Sequence, residues 1–134
     1  MKQTLKLLSG IMLLTIAGCN IDKPPPGYLS MWEKPGADFT EVGKALLECG
    51  MPTPYGEDSE NRELSINAIE TIHGCMLQAG FHYKDKWGGG WCENFKEENL
   101  PICRPGAVIP QRSVERRLNS PFCKRSPVQP ECQP

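Results

Sequence analysis

The sequence predicts a small, mainly α-helical domain: a two-helix core followed by a loop-rich, disulfide-stapled C-terminal half. Three observations predict it. Two stretches, 38–49 and 61–79, carry apolar residues three and four apart, the period of a helix with one buried face. The 134 residues include 13 prolines and 13 glycines, so turns and irregular segments are many. Of the seven cysteines, six lie in the later part of the chain: Cys49, Cys75, Cys92, Cys103, Cys123 and Cys132.

The first element is a leader, residues 1–18. Lys2 and Lys6 give a positive start, and Leu7 to Ala17 is a nearly unbroken apolar run. The charged start, short apolar middle and small closing residues are those of a secretory signal. The run is shorter than the roughly 20 apolar residues of a permanent transmembrane helix. Its end, Ile16-Ala17-Gly18-Cys19, resembles the lipobox of bacterial lipoproteins. The resemblance implies cleavage before Cys19, diacylglycerol on its sulfur and acylation of the new amino terminus. Each buried lipid methylene contributes about 0.8 kcal/mol, and two or more chains hold a protein firmly. In Gram-negative members of that family an Asp after the cysteine favours the inner membrane. This chain has Asn20 there, which by resemblance implies the outer membrane.

Residues 19–27 read as the lipidated cysteine and a tether. Lys23-Pro24-Pro25-Pro26-Gly27 favours polyproline geometry, about 3.1 Å per residue, so the tether spans roughly 25 Å. A proline-rich ligand for another domain is the alternative.

Residues 28–134 form the domain. Without the leader, two of the 15 basic residues are lost, leaving 13 against 16 acidic residues, a net charge of −3. That is no footprint for nucleic acid. Six cysteines in an exported domain read as a disulfide framework, with 15 pairings open to them. The chain has only two histidines, His73 and His82, and no C-x-x-C or H-x-x-H spacing. No metal site and no cofactor is therefore expected.

Tyr28, Leu29, Met31 and Trp32 make an apolar cluster before the Pro35-Gly36 turn, with Trp32 expected to cover the start of the next helix. The first helix spans 38–49. Asp38 and Glu41 have capping-box spacing, Phe39, Val42, Leu46 and Cys49 form the stripe, and Gly50 and Pro52 stop it. Gly43 inside it weakens the helix or admits a close neighbour. The acids from Asp58 to Glu63 lack calcium-loop spacing and suit a helix start.

The second helix is expected over 61–79, with Ile66, Ile69, Ile72, Met76 and Ala79 as its stripe and Gly80 as its stop. His73 is read as a structural histidine. The preferred partner of Cys75 is Cys49, because both lie on apolar stripes. An antiparallel hairpin would separate those helix ends, so this bridge requires a crossed arrangement.

Phe81, His82 and Tyr83 suit a short strand. The run Trp87-Gly88-Gly89-Gly90-Trp91 suits either an aromatic clamp for a glycan or peptide, or a loop folding its tryptophans onto the core. A helical turn is expected after Glu93. Cys92 and Cys103 are spaced to staple this loop, contributing about 3 kcal/mol in the chain-entropy model. In the tail, Ser113 to Leu118 suits a short capped helix, and Cys123 with Cys132 closes a proline-stiffened loop.

Charge is divided along the chain. Residues 20–100 hold 7 basic and 14 acidic residues, while residues 101–134 hold 6 basic and 2 acidic. The net charges are −7 and +4. Either Arg112, Arg116 and Arg117 form part of a patch for anionic headgroups or cell-wall polymer, or the basic tail wraps the acidic body.

Trp32, Lys34-Pro35-Gly36, Cys49-Gly50, Cys75-Met76 and Gly80-Phe81 resemble segments of small Gram-negative lipoproteins. That resemblance covers roughly 28–83 and implies the same address, with no chemistry attached. No serine elbow, paired histidines or metal spacing is present. The expected function is a non-enzymatic envelope module, anchored through Cys19, that binds an envelope protein or cell-wall polymer. An inhibitor or enzyme acting on envelope material is the alternative.

Overall fold

The computed structural model describes residues 27–56, 58–84 and 91–134. The leader, Cys19, the proline-rich tether up to Pro26 and the 85–90 glycine-tryptophan run lie outside the described residues. The chain runs α1 (Gly27–Ser30), β1 (Trp32–Glu33), α2 (Phe39–Glu48), α3 (Ser59–Arg62), α4 (Ile66–Gln78) and β2 (His82–Tyr83). It continues with α5 (Trp91–Asn94), α6 (Val114–Leu118) and α7 (Pro121–Arg125). Single 3-10 turns occupy Lys96–Glu98, Pro101–Cys103 and Pro130–Cys132. The described fold is mainly α, with α2 and α4 as its core pair.

α2 has the expected bounds because both ends are locally specified. Asp38 is extended and its carboxylate accepts from the Glu41 backbone N–H at 2.9 Å, satisfying a first-turn donor. At the other end Gly50 has φ +109°, and Met51 N–H returns to the Leu46 carbonyl at 2.9 Å. α4 ends in the same way: Gly80 has φ +93° and Phe81 N–H bonds the Met76 carbonyl at 3.1 Å. In both closures the residue after the glycine is folded back and buried, as are Leu46 and Met76.

The continuous second helix expected over 61–79 is instead two helices. Asn61 is drawn into the 53–55 loop, donating to the carbonyls of Thr53 at 3.1 Å and Tyr55 at 2.7 Å. Ser65 then caps a new start, accepting from Ala68 N–H at 3.1 Å. A buried amide holding a loop and a fresh cap outweigh continuity of the period. Phe39, expected on the α2 stripe, is 48% exposed.

The main core joins Leu29, Trp32, Val42, Ala45, Leu46, Cys49, Ile72, Cys75, Met76 and Phe81. Cys49 and Cys75 are bridged, with Cα atoms 5.6 Å apart. The two C-terminal helix ends therefore do meet, as a crossed arrangement demands. Trp32 is buried and packs against α4 and β2, its ring 5.0 Å from that of His73 and 4.9 Å from Tyr83. β1 and β2 pair antiparallel there, Trp32 opposite Tyr83 and Glu33 opposite His82.

A smaller core joins Leu47, Phe122, Cys123 and Cys132, with Tyr55 at its edge. It exists because the tail lies back along α2. Gly43 makes the approach close: a Cβ there would stand 2.9 Å from Glu131 Cγ. Glycine is thus required by a neighbour rather than by its own backbone. Cys123 and Cys132 are bridged beneath this contact.

Candidate functional site

The third bridge, Cys92–Cys103, has different surroundings. α5 and the two 3-10 turns that follow form a cystine-closed loop lying on α4. Asn67, in the first turn of α4, accepts from Ile102 N–H at 2.9 Å, which seats the Pro101–Cys103 turn. One helical turn further, Glu70 lies beneath the bridge, with Oε2 3.8 Å from Cys92 Sγ. Glu70 is only 4% exposed, and its Oε1 has no hydrogen-bond partner among the described residues. Burial pushes its carboxyl up to about 7, because the charged form loses water without gaining a compensating cation. A bridged sulfur carries no hydrogen, so a favourable contact between these atoms needs the hydrogen on Glu70. Contact and burial both favour the neutral acid.

The outer side of this bridge opens into a surface cavity of about 300 Å³. Cys92 and Cys103 line it together with Phe95, Lys96, Leu100 and Arg104. Neither Cys92 nor Cys103 is buried, whereas the other four bridged cysteines are 7% exposed or less. The Glu70 oxygen and the two sulfurs lie within 4.8 Å of one another. Both sulfurs are spent in the bridge, however, and a disulfide offers no thiolate to a metal.

Arg112, Arg116 and Arg117 converge on Glu48, the last residue of α2. Arg112 Nε donates to Glu48 Oε1 at 2.9 Å and Arg117 Nε to Oε2 at 2.8 Å. Arg116 Nη1 donates to the Glu48 carbonyl at 2.6 Å, and Ser113 N–H donates to the same oxygen at 3.1 Å. Arg117 also donates to the carbonyls of Glu131 and Gln133, at 2.8 and 2.6 Å. Arg125 pairs with Glu60. The basic tail thus wraps the acidic body.

This corrects the proposed surface patch at Arg117, which is 2% exposed and committed to internal partners. Arg112 is half-buried. Arg116 is exposed and lines a shallow cavity of about 230 Å³ with Gly50, Pro52 and Pro121. Trp87 lies outside the described residues, and Trp91 is described only as the first backbone residue of α5. His73 is buried among aromatic rings, and burial lowers its pKa, so it is neutral at pH 7.

Sequence reasoning missed Glu48 and Glu70, although each leaves a signal. Glu48 is an anion at a helix C-terminus, where the dipole disfavours it, directly between Leu47 and Cys49. Glu70 falls four residues after Ile66 and three before His73, on the edge of an apolar stripe. Among the described residues no helix is long and apolar enough to cross a membrane. No family model, curated protein or solved structure matches this chain.

Proposed function

We propose that this is a lipid-anchored protein of the bacterial outer membrane whose disulfide-locked domain serves the envelope as a non-enzymatic binding or structural module. One observation carries the reading. Six of the seven cysteines are consumed in three bridges, which leaves Cys19 as the one sulfur available to a lipid. A chain with this pairing suits an oxidising compartment, and the leader supplies the route to one. The partner is an envelope protein or a cell-wall polymer. The cavity beside Arg116 is one surface that sets a cation next to apolar walls.

The test is expression of the full chain and of Cys19→Ala in a Gram-negative host fed labelled palmitate. The unaltered chain is expected to take up label and to fractionate with outer membranes. The variant is expected to do neither. An unlabelled product that retains residues 1–18 by mass would overturn the reading.

A further inference from the structure

We propose that the Cys92–Cys103 bridge is a thiol–disulfide exchange site for a dithiol partner, with Glu70 as the acid that protonates the departing Cys92 sulfur. Three features of the molecule converge on this bridge and on neither of the others. Its sulfurs reach solvent through a cavity, while Cys49–Cys75 and Cys123–Cys132 are enclosed. The cavity wall carries Lys96 and Arg104, and nearby cations favour the thiolate form that attacks and leaves. On the buried side a carboxyl group with an unpartnered oxygen stands against one of the two sulfurs.

The step balances as follows. A thiolate of the partner attacks Cys103 Sγ, and the electron pair of the Sγ–Sγ bond departs on Cys92 Sγ. The proton of Glu70 passes to that sulfur, leaving a Cys92 thiol, a Glu70 carboxylate and a mixed disulfide on Cys103. The partner's second thiol, as its thiolate, then attacks the mixed disulfide at the partner's own sulfur. That releases the Cys103 thiolate and closes the partner's disulfide. Two electrons pass to the bridge, and the partner dithiol is oxidised. The reverse sequence re-forms the bridge, with the Glu70 carboxylate taking the proton from the Cys92 thiol. Exchange of this kind depends on access and on stabilisation of the leaving sulfur, which the cavity and Glu70 supply in turn.

The groups around Glu70 leave its titration legible. On its own helix the nearest titratable side chain is His73, whose pKa is held down by burial. The elements packed over it carry Glu93 and Lys96, which pair with each other at 3.7 Å, and Glu97, Glu98 and Arg104. Desolvation alone raises the Glu70 pKa. The loop is also seated independently of its bridge, through Asn67 and Ile102, so opening the sulfurs does not by itself release it.

The experiment treats the oxidised full chain with dithiothreitol for timed intervals, alkylates free thiols and locates them by peptide mass. Cys92 and Cys103 are expected to open at least roughly tenfold faster than the other four, the scale of a general acid acting on top of access. Normalised to dithiothreitol thiolate, their rate is expected to fall as pH rises through about 7, where Glu70 gives up its proton. Glu70→Gln is expected to flatten that profile with unchanged circular dichroism. Simultaneous opening of all three bridges, or a flat profile in the unaltered chain, would overturn the proposal. Both are read from the unaltered chain, so a Glu70→Gln protein that fails to fold leaves the answer intact.

Discussion

The Cys49–Cys75 and Cys92–Cys103 bridges both bring a segment of chain to α4, under opposite physical conditions. The first lies in the main core, where Cys49 and Cys75 are 2% and 1% exposed, between two helix ends closed by the same glycine geometry. Beside it the buried carboxylate of Glu48 is matched by two guanidinium groups. The second lies at the surface, over a buried carboxyl that pairs with no cation among the described residues. In one region the buried acid is matched by cations. The other keeps an unsatisfied acid whose neutral form is the favourable one. A buried acid is therefore no single kind of feature: its partners decide whether it fastens or responds.

The largest expected effect sharpens the first half of that comparison. Glu48→Ala removes the anion shared by Arg112 and Arg117 and leaves a buried guanidinium, so it is expected to cost about 3–5 kcal/mol by urea unfolding with the bridges intact. Next comes the pair of bridges themselves. In the chain-entropy model, replacing Cys49 and Cys75 with alanine, which opens a separation of 26 residues, loses about 3.5 kcal/mol. For Cys92 and Cys103, separated by 11 residues, the loss is about 2.8 kcal/mol. The buried pair loses core packing in addition, so the measured gap is expected to be wider than chain entropy makes it. Equal losses would remove the distinction between the regions.

The smallest effect in ordinary buffers tests the second half. The Glu70 pKa is raised by burial from 4.5 to about 7. Between those values the folded chain holds a proton that the unfolded chain has released. Stability from this group is full below about 4.5 and is lost as pH rises through about 7. The whole change amounts to roughly 3 kcal/mol, with only part of it falling between pH 6 and 8. Unfolding of the unaltered chain and of Glu70→Gln across this range is expected to show the slope in the first and not in the second.

Much of the helical frame is legible in the amino-acid sequence. The Asp38 cap, the Gly50 and Gly80 stops and the Ser113 cap are local devices, so α2, the end of α4 and α6 fall where spacing puts them. The pairing of Cys49 with Cys75 followed from stripes, against an objection based on antiparallel hairpins that the crossed helix ends remove. The break between α3 and α4 was hidden because Asn61 finds its partners in the 53–55 loop. The roles of Glu48 and Glu70 were hidden for a related reason. Their surroundings come from residues 22 to 69 positions away, and no local period reports such a neighbour.

Arg117 holds the carbonyls of residues 131 and 133 while gripping the end of α2. A ribosome delivers those parts of the polypeptide more than eighty positions apart. α2 can wind from its own caps, but its lid waits until residues 114–132 fold back onto it. Until then Leu47 and the flank of Gly43 stand uncovered.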